Sequence, residues 1–252
     1  MSAFALGLLV AAAVFAGGLI GLRLDLHLPR HHLGKETQDA VRLTTTMLSV
    51  LTSLVLGLLI ATAKEDSDAL DREFRAYAAD LILLDGTLRE YGPDAEGARE
   101  LLRRYTVRLV EETWRPGASP ALLEEAAAGA LIRWVRTSVL ALEPAGPAQT
   151  WLRDQSLVVV TTLLRRRWEI IEQLSPSVRP LMLAVVVLWI VAIFAGFGLS
   201  APRNATVVAS FLVGALAIGG AVFLIIDLGG PLDGLLHIPD RPMRDALVHM
   251  MR

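Results

Sequence analysis

The chain has 252 residues, a formal net charge of −2 and a hydrophobic fraction of 54%. Its mean hydropathy of +0.51 lies well above that of a water-soluble protein, which excludes an ordinary soluble enzyme. The near-neutral charge argues against a nucleic-acid partner, and the absence of cysteine excludes disulfides, thiolate catalysis and Cys-ligated zinc.

Four uncharged apolar segments predict four transmembrane helices. At a rise of about 1.5 Å per residue, each segment can cross a hydrocarbon core of about 30 Å. The segments are residues 2–22, 43–63, 180–201 and 205–226. The first has no basic stretch before it, as a secretory signal would, so we expect it to be a span. Only three residues join the third and fourth, which predicts an antiparallel hairpin.

Small residues recur four positions apart in two of these spans. Ala13, Gly17 and Gly21 lie in the first span, and Ser210 and Gly214 lie in the fourth. Small side chains allow two helix backbones to approach closely in a membrane. We expect these faces to contact protein, either in the same chain or in another subunit.

Residues 64–179 form a water-facing insert between the second and third spans. The insert holds 16 of the 24 basic and 19 of the 26 acidic residues. Its apolar residues recur every three or four positions, which predicts helices, and it lacks the alternation of period two that is typical of a sheet. We expect four helices, over about residues 70–88, 94–114, 119–139 and 147–171.

Local sequence signals set the ends of these helices. Gly92-Pro93 ends the first, Asp94 is placed to cap the second, and Ser119-Pro120 is typical of the start of the third. The predicted fold is all-α, with four membrane helices in two pairs (2+2) around the helical insert. The predicted division is 1–63 (first pair), 64–179 (insert), 180–226 (second hairpin) and 227–252 (C-terminal tail).

Three consecutive arginines, Arg165, Arg166 and Arg167, precede the third span. Basic side chains near a membrane attract anionic lipid head groups, each contributing about 1 kcal/mol. The triplet is therefore a candidate contact with lipid head groups. The alternative is a solvated helix face whose charge is balanced by Glu169 and Glu172.

An even number of spans places the N-terminus, the insert and the tail on one side of the membrane. That side carries 19 basic residues, 16 in the insert and three in the tail, against five on the other side. This excess favours a cytoplasmic insert, whereas the first span has basic residues only after it, which favours the opposite orientation. Because Lys64, Arg72 and Arg75 also lie close to the second span, we expect the insert to be cytoplasmic.

The second span carries a one-sided polar stripe. Thr45, Ser49, Thr52 and Leu56 fall on one face of this helix, opposite a leucine-rich face. A row of hydroxyls that ends at a leucine suits a wet pore with a hydrophobic constriction. The same hydroxyls can instead bond to carbonyls of their own helix or hold neighbouring helices together.

Histidines follow the first span and raise the question of a metal site. His27, His31 and His32 lie near Glu36, but Pro29 interrupts a shared helix face. A titratable interfacial loop therefore explains these residues better than a metal site.

A glycine-rich segment follows the fourth span. It begins with Asp227 and contains Gly230, Pro231 and Gly234. A carboxylate at that depth is costly without a partner or water, so we expect Asp227 to cap a structural turn or to pair with an arginine of the insert; a plain helix-end charge is the alternative. The sequence has no phosphate-binding loop, catalytic serine motif or carboxylate pair, and we predict no enzyme, cofactor or metal.

The arrangement of two spans, a helical insert and a tight hairpin of two spans resembles the bacterial bestrophin-like integral membrane family. The residues that carry this resemblance are 99–105 (Arg-Glu-Leu-Leu-Arg-Arg-Tyr), Glu111-Glu112-Thr113-Trp114, Arg165-Arg166-Arg167 and residues 227–234. The resemblance covers nearly the entire chain. The family usually has Pro-Phe where this chain has Pro231-Leu232, preceded by an extra glycine.

The resemblance implies an analogy to bestrophins, pentameric anion channels whose second membrane helix lines the pore. The expected protein is then a homo-oligomeric ion channel in the lipid bilayer of a bacterial inner (plasma) membrane, permeable to an anion such as chloride. Thr45, Ser49 and Thr52 would face water, and Leu56 would form the constriction. The alternative is a non-conducting membrane-anchored sensor or scaffold whose insert docks a partner. A small transporter is disfavoured because no span is visibly broken or deeply charged.

Overall fold

A computed structural model describes residues 2–24, 35–115, 127–174, 180–230, 232 and 234–251. All regular elements in these ranges are helical, which confirms the predicted all-α class. The α-helices are α1 (Ala3–Leu24), α2 (Lys35–Tyr91), α3 (Glu96–Thr113), α4 (Ala127–Leu140), α5 (Pro147–Gln173), α6 (Pro180–Leu199), α7 (Ala205–Leu228) and α8 (Arg241–Met250).

Four of these helices are long and apolar enough to cross a membrane. Their candidate ranges are Ala3–Leu24, Asp39–Tyr91, Leu181–Leu199 and Ala205–Leu228. These helices contain the four predicted spans except for Ser2 at the start of the first and Ser200 and Ala201 at the end of the third, and the last helix continues two residues beyond the predicted end at Ile226. The arrangement of the spans as two pairs around an extramembrane insert stays a prediction.

The chain forms two compact units. The membrane unit comprises Met1–Glu65 and Ser177–Gly229, and the insert unit comprises Asp66–Pro176 and Gly230–Arg252. Helix α2 is continuous and contributes residues to both units. The C-terminal helix α8 belongs to the insert unit. The four-part division at residues 63, 179 and 226 stays a prediction.

Glycines bring α1 into backbone contact with α6 and α7 inside the membrane unit. A Cβ atom on Gly21 would lie only 2.1 Å from the carbonyl oxygen of Ala195 on α6. A Cβ on Gly7 would lie 2.8 Å from the carbonyl oxygen of Gly219 on α7. Apolar helices gain little from the hydrophobic effect in lipid, so such close backbone packing is what holds them together. The predicted small-residue face of the first span therefore meets helices of its own chain.

Polar groups fix the hairpin between α6 and α7. The Asn204 side chain caps α7, because its Oδ1 accepts a hydrogen bond of 2.9 Å from the backbone N–H of Val207. The Nε of Arg203 donates to the carbonyl oxygen of Leu22, at 3.1 Å, and so satisfies a backbone acceptor at the end of α1.

The insert unit is built around the apolar stripes that the sequence predicts. The first stripe is buried, with every member at most 2% exposed: Leu70, Phe74, Tyr77, Leu81, Leu84 and Leu88. The same core includes residues of α3, α4, α5 and α8. The tail is anchored on α3, since Trp114 Nε1 donates to the carbonyl oxygen of Ile238 at 2.8 Å and Arg103 Nε donates to that of Met250 at 3.2 Å.

One predicted helix end of the insert is found in the structure, and one predicted helix cap is not. Helix α2 ends at Tyr91, and Gly92 follows with φ 114, a left-handed conformation that glycine adopts without strain. The expected cap at Asp94 is wrong: this residue lies inside a 3₁₀ turn, Pro93–Ala95, and Ala95 precedes α3 without any side-chain cap. The predicted start of the third insert helix, Ser119-Pro120, lies outside the described residues.

The contact between α1 and α6 gives a direct test of glycine packing. Substituting Gly21→Ala places a methyl group against the backbone of Ala195, so we expect a loss of about 1–3 kcal/mol in stability. A Cβ on Gly220 of α7 would meet nothing within 4 Å, so Gly220→Ala is the matched control and should change stability by less than about 1 kcal/mol. Thermal unfolding of the detergent-solubilised full-length variants measures both effects. Equal stability of the two variants would contradict the packing.

Candidate functional site

The membrane part of α2 has one buried and one exposed face. Thr45 and Thr52 are only 7% and 4% exposed, whereas Val50 and Leu54 are 66% and 71% exposed. The hydroxyl-bearing face that the sequence singles out is thus turned inward, and the leucine-rich face is turned outward.

The buried face of α2 meets helices of its own chain. A Cβ atom on Gly196 of α6 would lie 2.7 Å from Thr45 Oγ1, so this threonine fills the space that the glycine leaves. Leu56 belongs to the buried apolar cluster that also contains Val186 and Ile190 of α6. Three of the four predicted pore-lining residues, Thr45, Thr52 and Leu56, are therefore buried inside the membrane unit.

The hydroxyl groups of Ser49 and Thr52 on α2 differ in their hydrogen bonds. Ser49 is partly exposed, and its Oγ donates a hydrogen bond of 2.7 Å to the carbonyl oxygen of Thr45. This bond within one helix is the alternative to a pore-facing hydroxyl that the sequence also allowed. The Oγ1 of Thr52 is buried without a hydrogen-bond partner among the described residues. The assignment of Thr45, Ser49, Thr52 and Leu56 to a pore stays a prediction.

An open groove runs along the exposed face of α2. Its lining residues are Ser49, Val50, Ser53, Leu54, Gly57, Leu58 and Ala61. Four of these residues are small and lie four positions apart, and a Cβ on Gly57 would meet no atom within 4 Å. Ser53 and Gly57 were not predicted as site residues, because the stripe richest in hydroxyls lies on another face of α2. The spacing of four positions between Ser49, Ser53, Gly57 and Ala61 is the sequence pattern that could have identified this face.

The three arginines of the triplet on α5 have different surroundings. Arg165 is exposed and pairs with Glu169 at 2.8 Å. Arg166 is half-buried and lies between two carboxylates of α2, at 2.7 Å from Glu73 and 3.0 Å from Asp80. Arg167 is only 7% exposed. Contact with lipid head groups stays a prediction, and of the three side chains only Arg165 is exposed enough to make it.

Arg167 belongs to a buried polar cluster that the sequence analysis did not find. The hydroxyls of Tyr77 and Tyr105 share a hydrogen bond, and Tyr105 also bonds to Arg167. Burial raises the pKa of both tyrosines, and Arg167 offsets part of this rise, so both hydroxyls are neutral at physiological pH. A Cβ on Gly129 of α4 would lie 3.4 Å from Arg167 Nη2, so the glycine makes room for the guanidinium.

A small cavity of about 20 Å³ adjoins this cluster. Its walls are Phe74, Tyr77, Leu109, Thr113, Arg167, Ile170 and Ile171. A volume of this size accommodates about one water molecule. The cluster therefore acts as a polar element of the insert core, and no larger ligand fits there.

The segment after the last span begins inside α7. Asp227 lies in the final turn of the helix, is 3% exposed and is engaged in at least one polar or electrostatic interaction. The cap residue Gly229 donates its N–H to the carbonyl oxygen of Ile225 at 3.1 Å. Gly230 and Gly234 follow in a turn-rich stretch, whereas Pro231 lies outside the described residues. Their role as a structural turn stays a prediction.

The residues considered for metal binding lie outside the described part of the chain. They are His27, His31, His32 and the side chain of Glu36. Within the ranges that the structure describes, no group of three histidine, aspartate or glutamate residues is arranged to hold a metal ion.

The comparison with known proteins gives a family match. A family model described as Bestrophin-like domain matches residues 12–243, which is most of the chain. A comparison with curated proteins gives no match.

Two neighbouring arginines on α5 test the ion pairs of the insert unit. Arg166→Gln removes the partner of two carboxylates that are both less than one-third exposed, and we expect a loss of about 1–2 kcal/mol. Arg165→Gln removes only a surface pair within one helix and should cost about 0.5 kcal/mol or less. Chemical unfolding of the two full-length variants in detergent compares them. A larger loss for Arg165→Gln would contradict the geometry.

Proposed function

The chain belongs to the bestrophin-like family, and on that premise we propose that it is an oligomeric ion channel, permeable to anions such as chloride, with α2 lining the pore. The observation that carries the proposal is the exposed, small-residue face of α2. One subunit cannot enclose a pore with a single helix, so several copies must contribute this face around a common axis.

The chemistry of the exposed face of α2 suits a narrow water-filled path. Ser49 and Ser53 offer hydroxyls, and Gly57 and Ala61 leave room beside them. Leu54 and Leu58 flank this row and are candidates for a hydrophobic constriction, where loss of water can stop conduction. The face that contains Thr45 and Thr52 would reach water only if α6 moved away from it. We therefore favour the exposed face as the pore wall.

The proposed location of the protein follows from its apolar helices and from its family. Four candidate spans favour a multi-pass protein of the lipid bilayer, and we place it in a bacterial inner membrane. We place the insert on the cytoplasmic side of that membrane.

A second function has one observation in its favour. Three tryptophans of the insert unit, Trp134, Trp151 and Trp168, are 66%, 63% and 53% exposed. Exposed large aromatic side chains are typical of protein-binding surfaces. A non-conducting sensor or scaffold would use exposed side chains such as these to dock a partner. In that case the tryptophans would be required for activity, and the exposed face of α2 would not.

Chloride flux in liposomes tests the proposed channel, and cysteine substitution tests its wall. The chain has no cysteine, so single cysteines can be introduced without altering a native thiol. We expect Ser53→Cys to lose most of its flux after treatment with a charged, membrane-impermeant thiol reagent. Thr52→Cys is the matched control on the buried face of the same turn, and its flux should change little.

The outcomes distinguish the two candidate pore walls on α2 and the two candidate functions. Block of Thr52→Cys but not of Ser53→Cys would assign the wall to the stripe predicted from the sequence. Absence of flux from correctly assembled wild-type protein would remove the channel and favour the docking function.

A further inference from the structure

The two buried tyrosines of the insert core carry more protons than their hydrogen bonds use. Tyr77 and Tyr105 are 1% and 0% exposed, and each neutral phenol has one O–H group to donate. The hydrogen bond between the two hydroxyls uses only one of these protons. Arg167, which also bonds to Tyr105, is a donor and accepts nothing. One phenol O–H of the pair therefore has no acceptor among the described residues.

The position of the small cavity indicates which O–H group this is. Tyr77 forms part of the cavity wall, whereas Tyr105 does not. If Arg167 donates to Tyr105 and Tyr105 donates to Tyr77, the O–H of Tyr77 is left to point into the cavity. The reverse order would leave the unused O–H on Tyr105, which does not reach the cavity. Because a buried donor without an acceptor is destabilising, the first order is favoured.

A second hydroxyl at the cavity also has unused hydrogen-bonding capacity. Thr113, the last residue of α3, is 2% exposed and lines the same cavity. Its side chain makes no hydrogen bond within the part of the chain that the structure describes. The buried Thr87 of α2 differs, since its Oγ1 donates to the carbonyl oxygen of Leu83 at 2.8 Å. Two buried hydroxyls, those of Tyr77 and Thr113, therefore border the cavity and need a partner.

The size of the cavity and its other walls define the ligand that fits. The volume of about 20 Å³ holds about one water molecule. A buried water molecule makes about three hydrogen bonds, and Arg167 adds a third polar group beside Tyr77 and Thr113. The remaining walls are apolar and offer no competing partner: Phe74, Leu109, Ile170 and Ile171.

The charges around the tyrosines favour a neutral ligand. Burial is the main cause of the raised pKa of both tyrosines, and Asp80 adds to the rise for Tyr77 and Glu112 to that for Tyr105. Carboxylates therefore lie near enough to act on both hydroxyls, and they offset the positive charge of Arg167. This balance disfavours a bound halide, and the guanidinium disfavours a bound cation.

We propose that the cavity binds one ordered water molecule that joins three helices of the insert unit. The water accepts hydrogen bonds from Tyr77 on α2 and from Arg167 on α5, and it donates one to the Oγ1 of Thr113 on α3. A water molecule with such partners is part of the fold, because its removal leaves buried polar groups unsatisfied.

A crystallographic map of the full-length protein, at a resolution that shows water, tests the site directly. We expect one peak within about 2.7–3.2 Å of the Tyr77 hydroxyl, the Thr113 hydroxyl and a guanidinium nitrogen of Arg167. A map that shows other ordered waters in the insert core but no peak here would overturn the proposal. Crystals grown in bromide distinguish water from a halide. An anomalous bromide peak at this position would assign the site to a halide and would also overturn it.

A double-mutant cycle tests the same water through its effect on stability. Tyr77→Phe and Thr113→Val each remove one of its partners, while no hydrogen bond joins these two side chains in the structure. We expect each variant to lower the melting temperature of the detergent-solubilised full-length protein. The loss in the double variant should be smaller than the sum of the single losses by about 2 °C or more, because both changes act on one water.

The matched control for Thr113→Val is Thr87→Val. Thr87 is also buried, its hydroxyl is satisfied within its own helix, and it lies ten residues, or about 15 Å, along α2 from Tyr77. Its loss should therefore add to that of Tyr77→Phe. If the losses of Tyr77→Phe and Thr113→Val were as additive as those of the control pair, the shared water would be excluded. If Tyr77→Phe does not fold, the wild-type map decides alone.

Discussion

Lipid offers no hydrogen bonds, and this constraint governs the membrane unit. Every backbone group of a span must be satisfied within its own helix, so the apolar segments form uninterrupted helices. The side chain of Thr45 lies against Gly196 of α6 and fills the space that this glycine leaves. Because lipid also removes the hydrophobic drive, the helices associate through glycines such as Gly7 and Gly21, which let backbones touch.

The insert unit has the opposite pattern, which is typical of a domain in water. Apolar stripes turn inward to form a core, and charges remain at the surface or pair across helices, as Arg166 does between Glu73 and Asp80. Helix α2 obeys both sets of rules along one continuous length. Its membrane part exposes leucine and small residues, and its insert part exposes arginine and carboxylates.

Periodicity and hydropathy were sufficient to predict the spans and the apolar stripes of the insert, because each depends on the residues of one segment. The stripe from Leu70 to Leu88 and the end of α2 at Gly92 are examples. Periodicity and hydropathy did not predict that α2 is unbroken over Lys35–Tyr91 or that the tail contains helix α8. Periodicity identified the polar face of α2 but not what covers it. The sequence pattern of a row of hydroxyls is the same whether α6 or water lies against it. Periodicity also gave no sign of the cluster around Arg167, because no local pattern shows that Tyr105 and Gly129 from other helices surround it. Contacts between distant segments require the three-dimensional structure.

The central claim is that the exposed face of α2 is completed by further copies of this chain around one axis. Native mass spectrometry of the detergent-solubilised protein tests this claim most directly, because one chain has a mass of 27.3 kDa. The account predicts a single assembly of several subunits that survives removal of the detergent. A species of 27.3 kDa alone, with correct helical content, would contradict it.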